Sequence, residues 1–203
     1  MGRTFRFHQL DVFTDTPLLG NALAVVHQAD GLSDDDMAAF ARWTNLSETT
    51  FLLRPTDPEA DYRVRIFTPG DELPFAGHPT LGSCHAWLAT GGKPKSPDFV
   101  RQECALGIVP LRRDGKRLAF AAPPLRRSGE VDEPTLARIA NGLGISRSEI
   151  KNHQWVDNGP GWCALILDSA KKVLDLKPDF STLKGLAVGV VGRQPPGQDS
   201  DIE

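Results

Sequence analysis

Apolar residues in this chain fall into short runs, some alternating with polar ones and some continuous. Thr4 to Phe13 is rich in aromatic and β-branched residues, and Asn21 to His27 is a second apolar run. Both predict strands, joined by a Thr-Pro turn with Gly20. Leu32-Ser33-Asp34-Asp35-Asp36 predicts a helix start, with Ser33 as N-cap and Asp36 completing a capping box. The acids there also suit the positive end of the helix dipole. Met37, Phe40, Ala41 and Trp43 carry that helix to Asn45. Glu48 to Arg54 reads as a strand, and Asp61 to Pro69 alternates Tyr62, Val64 and Ile66 against Arg63 and Arg65. A helix follows Gly77, its apolar side marked by Leu81, Cys84, His85 and Leu88, and Gly91-Gly92-Lys93-Pro94 stops it. Further strands are expected at 99–103, 107–111 and 117–121.

Ala122-Pro123-Pro124, followed by Arg126-Arg127-Ser128-Gly129, reads as a linker and divides the chain into 1–122 and 123–203. Beyond it, Asp132 caps a helix that runs to Asn141 and is closed by Gly142. Strands are expected at Trp155–Val156, Trp162–Leu167 and Leu186–Val191, and 193–201 has the composition of an exposed loop. Strands mixed with two or three helices, without βαβ regularity, predict an α+β fold with largely antiparallel sheet.

Composition narrows the function classes. The 203 residues are 40% hydrophobic and 24% charged with a net charge of -3, an ordinary globular balance. The absence of a basic block argues against a nucleic-acid partner. No apolar run approaches the roughly 20 residues of a membrane span. Cys84, Cys104 and Cys163 are odd in number and widely spaced, which argues against a disulfide framework or a structural zinc site and makes the cytoplasm the expected compartment.

Leu73-Pro74-Phe75-Ala76-Gly77-His78-Pro79-Thr80 carries the most chemistry. It places a glycine turn and a histidine at a helix N-terminus, where free N–H groups favour an anion such as a carboxylate. Pro79 suits the first helical position, where its missing N–H costs nothing. The same segment also fits an ordinary strand-to-helix turn with a surface histidine. Glu48 stands at the mouth of an apolar strand, where low-dielectric surroundings suit a carboxyl group to proton transfer; a solvated loop acid fits as well. Asp71 and Glu72 can neighbour Gly77, or form a plain charged turn. Cys84 and His85 read as core residues of the helix, and His8 and His27 as structural or exposed. Asp157-Asn158-Gly159-Pro160-Gly161-Trp162 is either a ligand loop or a hairpin connection. No nucleotide-binding glycine motif and no Gly-x-Ser-x-Gly elbow is present, so no nucleotide cofactor and no serine nucleophile are expected.

In order along the chain, Phe7-His8-Gln9-Leu10-Asp11-Val12-Phe13-Thr14, Gly20-Asn21-Ala22-Leu23-Ala24-Val25-Val26, Leu46-Ser47-Glu48-Thr49-Thr50-Phe51, Phe67-Thr68-Pro69, Glu72 to Thr80 and Asp157 to Trp162 resemble the phenazine-biosynthesis PhzF-like proteins, relatives of diaminopimelate epimerase. The resemblance implies two similar lobes, each a mixed sheet rolled around a central helix, with the active site in the cleft. It implies isomerase or epimerase chemistry on a small carboxylate-bearing metabolite without metal or organic cofactor. By that resemblance Glu48 would be the acid/base, and Gly77 and His78 would hold the substrate carboxylate where related epimerases carry a catalytic cysteine; Pro79 and Asp71 are expected beside them in the substrate site, and a homodimer is expected where an incomplete lobe leaves its sheet exposed. Family members continue with a strand and an Asp-Pro-Val-Thr-Gly-Ser-like turn opening the second lobe's central helix. The second lobe is therefore expected to be incomplete. An inert ligand-binding or interaction protein on the same fold is the alternative.

Overall fold

The alternating residues Tyr62, Val64 and Ile66 all become buried in a strand of the first sheet in the computed structural model, which describes residues 3–115, 117–158, 161–198 and 200–203. Contacts divide the chain into two compact units, Met1–Ala122 and Pro123–Glu203.

The first unit contains strands β1 (Phe7–Val12), β2 (Asn21–Val26), β3 (Glu48–Leu53), β4 (Tyr62–Phe67), β5 (Glu72–Leu73), β6 (Phe99–Cys104), β7 (Gly107–Asp114) and β8 (Arg117–Phe120), with helices α1 (Asp34–Thr44) and α2 (Gly77–Ala89). Their order in the sheet is β1-β2-β3-β4-β6-β7-β8, with β5 paired to β4. The sheet is mixed, and its parallel pairs follow from the connections. β2 pairs parallel with β3 after the α1 crossover, and β4 with β6 after the α2 crossover. Parallel neighbours need such a crossover, whereas the tight turns elsewhere give antiparallel pairs.

α1 forms as expected: Ser33 accepts from the Asp36 N–H, Asp36 reaches back to Ser33, and Asn45 ends the helix in a left-handed conformation at φ 53°. Met37 and Ala41 of α1 pack with Phe51 and Phe67 on one face of the sheet. The other face holds α2, which touches β1, β2, β3, β6 and β8. Since β1 and β8 are the two edges, the sheet curls around α2.

Two expectations about α2 are corrected. The helix begins at Gly77, so Pro79 occupies its third position; its missing N–H still falls among the four donors that any helix leaves unpaired. The expected apolar side of Leu81, Cys84, His85 and Leu88 holds only in part: Cys84 is buried and Leu81 and Leu88 are half-buried, but His85 is not in the core. Thr80, Gly82, Ser83, Cys84 and Ala86 are buried, whereas His85 is exposed. Small residues allow the close approach that an enclosing sheet requires. The polar ones among them find partners in the strands: Ser83 donates to Thr50 at 2.8 Å, and Gln102 donates to Thr80 at 3.0 Å. Tyr62 in turn donates to Gln102 at 2.8 Å, completing a buried chain from β4 through β6 to α2.

The second unit contains α3 (Glu133–Leu143), β9 (Asn152–Trp155), β10 (Trp162–Leu167), α4 (Ala170–Leu174) and β11 (Ala187–Gly192). β10 pairs antiparallel with β9 and parallel with β11. Leu136, Ile139 and Leu143 of α3 pack with Cys163, Leu165 and Leu167 of β10. On the alternate positions of β10, Trp162 and Ile166 are 43% and 46% exposed. The described residues of this unit form a three-stranded sheet with no enclosed helix, unlike the curled sheet of the first unit.

One further expectation is corrected here. Gly142 lies within α3 against Leu183, and Gly144, at φ 70°, is the residue that closes the helix. The described residues of 193–201 form the expected, mostly exposed loop, and its ends are tied: Gly192 and Glu203 exchange backbone hydrogen bonds at 3.0 and 2.8 Å, and Gln194 donates to Asp201 at 2.9 Å. Asp199 lies outside the described residues.

Replacing Tyr62 with Phe leaves the buried Gln102 carbonyl without its donor. This should lower unfolding free energy by about 1–3 kcal/mol in a urea titration. A change below a few tenths would show that the Tyr62–Gln102–Thr80 chain contributes nothing to holding α2.

Candidate functional site

The left-handed Asn45 turns the chain out of α1, and Leu46-Ser47 leads directly into β3 at Glu48. Parallel pairing of β2 with β3 sets Leu23 opposite Glu48, so the start of β2 lies beside this carboxyl group. The enclosed α2 begins at the same end of the sheet and delivers His78. Glu48 Oε2 and His78 Nε2 stand 3.3 Å apart, with side chains 17% and 8% exposed. The approach lacks hydrogen-bond geometry, and among the described residues neither atom has a hydrogen-bond partner. Buried polar atoms are normally satisfied, so two orphans facing each other mark a place where a third group belongs.

The other side of the imidazole is held. Asn21 Nδ2 lies 3.3 Å from His78 Nδ1, and Ser47 donates to Asn21 Oδ1 at 3.4 Å. Burial lowers the pKa of His78 below its ordinary value; the Glu48 charge and the Ala22 carbonyl pull the other way without reversing the shift. Burial thus disfavours the imidazolium form of His78. The imidazole can donate or accept a proton beside a carboxyl group.

The helix end at this place is left open. α1 has a Ser33 capping box and three acids in its first turn, α3 has the Asp132 cap and α4 the Ser169 cap. α2 has Ala76 as N-cap, no side-chain cap and no acid in its first turn. Pro79 is buried and offers no N–H, so Gly77 and His78 supply the free donors of that turn. The site thus combines an anion-binding helix end with a carboxyl–imidazole pair.

Within the first unit, the structure brings together Glu48, Gly77, His78 and Pro79, and not the other candidates. Asp71 sits exposed in the turn before β5, where its backbone carbonyl accepts from Thr68, and it makes no bond to His78. Glu72 is held in a two-bond pair by Arg65 at 2.7 and 2.6 Å. Burial drives the Cys84 thiol up to about 12, which leaves it protonated and unsuited to nucleophilic attack. His27 is buried in a 2.9 Å contact with His8, and burial, with His8 and Arg6 beside it, brings its pKa down to about 4. In the second unit, Asp157 Oδ1 accepts the Gly161 N–H at 2.7 Å, so this carboxylate closes its own turn; Gly159 and Pro160 of that loop lie outside the described residues. Asn21, Ser47 and Phe13, whose ring centroid lies 6.4 Å from that of His78, carried no expected role. Their sequence signal is membership in the segments Phe7–Thr14, Gly20–Val26 and Leu46–Phe51 that carry the family resemblance, which assigns them no role.

The family model described as "Phenazine biosynthesis-like protein" matches residues 10–203. A trans-2,3-dihydro-3-hydroxyanthranilate isomerase of Pseudomonas chlororaphis is 52% identical over 182 residues, 86% of this chain and 61% of the relative. A Schizosaccharomyces pombe protein named "Antisense-enhancing sequence 1" is 42% identical over 186 residues, 87% of this chain and 62% of the relative. The chain therefore spans about three-fifths of the length of these relatives. Among solved structures, a Bacillus anthracis phenazine biosynthesis protein of the PhzF family superposes with a TM-score of 0.79 at 20% identity, covering 97% of this chain and 69% of the other. That likeness establishes a shared fold.

The His78 proton affinity can be read by following its imidazole resonances against pH. The midpoint should lie below 6.5, and Glu48→Gln, which removes the charge that favours the imidazolium, should lower it further. A midpoint that is unchanged or raised in the variant would show that Glu48 does not act on His78. Because the folded value is depressed, the stability contributed by neutral His78 is present above pH 6.5 and is lost as pH falls through the folded midpoint. His27 adds a loss of the same sign between pH 6.5 and about 4.

Proposed function

Because the chain belongs to the phenazine biosynthesis-like protein family, we propose that it moves a proton on a small carboxylate-bearing metabolite by acid/base catalysis in which Glu48 is the proton carrier. One observation carries this reading: Glu48 Oε2 and His78 Nε2 face each other at 3.3 Å, buried and without hydrogen-bond partners, at the uncapped end of α2. A substrate carboxylate accepting from the Gly77 and His78 N–H groups would satisfy the helix end. Its reacting carbon would then lie beside Glu48, which removes a proton from one position and returns it to another. Neutral His78 keeps the new charge small while Asn21 fixes its ring. Pro79 serves by its shape, and Asp71 is left out of the substrate shell.

The isomerase relatives suggest the substrate class, a cyclic dihydro-hydroxy amino acid. Such a substrate needs its proton shifted along an unsaturated ring, which a single carboxyl group does without a redox step. No helix of the described residues is long and apolar enough to cross a membrane.

The test follows solvent deuterium into trans-2,3-dihydro-3-hydroxyanthranilate. Wild-type protein should incorporate the label, and Glu48→Gln should reduce the rate by about 10²–10⁴, the usual contribution of a positioned acid/base. Exchange that persists in the variant would remove Glu48 from the proton path. A folded wild-type protein that gives no exchange would leave the binding-protein alternative as the better reading.

A further inference from the structure

We propose that Phe13 determines specificity at the Glu48–His78 site by packing its ring against a planar, unsaturated ring of the substrate. This deepens the reading above and rests on it. Phe13 follows the buried Val12 at the end of β1. An extended continuation would send its side chain to the outer face of the sheet, because successive strand residues alternate. The chain instead takes a left-handed conformation at Phe13, φ 67°, and its ring stands 6.4 Å from the His78 ring at an interplanar angle of 54°. The side chain is 71% exposed, so core packing does not account for that conformation.

The segment is fixed from both ends. Leu18, also left-handed at φ 70°, donates its N–H to Asp11 Oδ2 across the loop. At Gly20 a Cβ would lie 2.6 Å from Asp11 Oδ1 and closer still to the Val12 carbonyl oxygen, so no side chain fits there. Non-glycine residues seldom adopt positive φ, and such conformations persist where the surroundings hold them. Here the holding contacts aim an exposed aromatic face toward the imidazole that stands beside the helix end proposed to hold the substrate carboxylate. A flat unsaturated ring can lie against that face in an offset or edge arrangement, whereas a puckered saturated ring makes a poorer contact.

The test compares three anions on the full chain: anthranilate, which is flat, cyclohexanecarboxylate, which is puckered, and acetate, which has no ring. Each is titrated while the His78 imidazole resonances are followed. Anthranilate should bind more tightly than cyclohexanecarboxylate by about three- to tenfold, the range expected of an aromatic pair. Phe13→Ala and Phe13→Leu should abolish that preference while leaving acetate binding unchanged, and Phe13→Tyr should retain it. A preference that survives in Phe13→Ala, or one that Phe13→Leu restores, overturns the assignment. Equal weakening of all three anions in every Phe13 variant also overturns it, since that is the mark of a structural role. If acetate perturbs His78 but anthranilate gains nothing over cyclohexanecarboxylate, the Phe13 inference alone fails. If no anion perturbs His78, the carboxylate site beneath it fails too.

Discussion

Enclosing a helix within a curled sheet is the constraint on which the first unit depends. α2 is covered by strands from both edges of the sheet, which widens its buried face well beyond the stripe of a surface helix and leaves His85 as an exposed position. Its side chains must be small where strands come close and polar only where a strand supplies a partner. Thr80 meets Gln102, Ser83 meets Thr50, and Gly82 lies against Leu23 and Val12. The same enclosure brings the N-terminal turn of the helix inside. A surface helix can give its first N–H groups to water or to a cap, as α1 does with Ser33. α2 has neither a capping side chain nor an acid there, so its positive end is directed at whatever the interior brings to it.

What the interior brings is Glu48 and His78. Burial opposes charge on the imidazole, and the carboxyl group 3.3 Å away favours it. Had the two been joined in a good hydrogen bond, they would form a satisfied structural pair. Their misaligned approach leaves a donor–acceptor position on each unused, at some cost in stability. The arrangement is maintained by Asn21 and Ser47 on one side of the ring and by the Tyr62–Gln102–Thr80 chain behind the helix. Rigid support on one side and open valence on the other is what a proton-transfer site requires.

Much of this was legible in the sequence because the signals were local. The capping box of α1, the alternation in β4 and the break around 91–94 each depend on a few adjacent residues, and each matches the structure. Gly77-His78-Pro79 announced an open helix end for the same reason. Long-range geometry was not legible. The apolar spacing in α2 set Cys84 and His85 together in the core, but only Cys84 is buried, because the sheet closes over Thr80, Gly82, Ser83, Cys84 and Ala86. Asn21 and Phe13 gained meaning only once the β2–α1–β3 crossover set Leu23 opposite Glu48. Gly142 resembled a helix stop because sequence does not show that Leu183 needs the space. The pairing of Gly192 with Glu203 joins a strand to the chain end through residues with no β-pattern.

The departures from local rules in the first unit are not scattered. Gln28 and Asn45 have positive φ where a short helix begins and where α1 ends, ordinary places for it. The remaining departures gather at one end of α2: an uncapped helix, two orphaned buried atoms, and left-handed Phe13 and Leu18 in the loop that carries a ring toward His78. Each costs stability, and each would be removed by a common substitution such as a serine cap, an apolar isostere or a glycine. A chain selected for folding alone has no reason to concentrate such costs in one place. The proposed substrate would satisfy them together, with its carboxylate at the helix end, its transferred proton between Glu48 and His78, and its ring against Phe13.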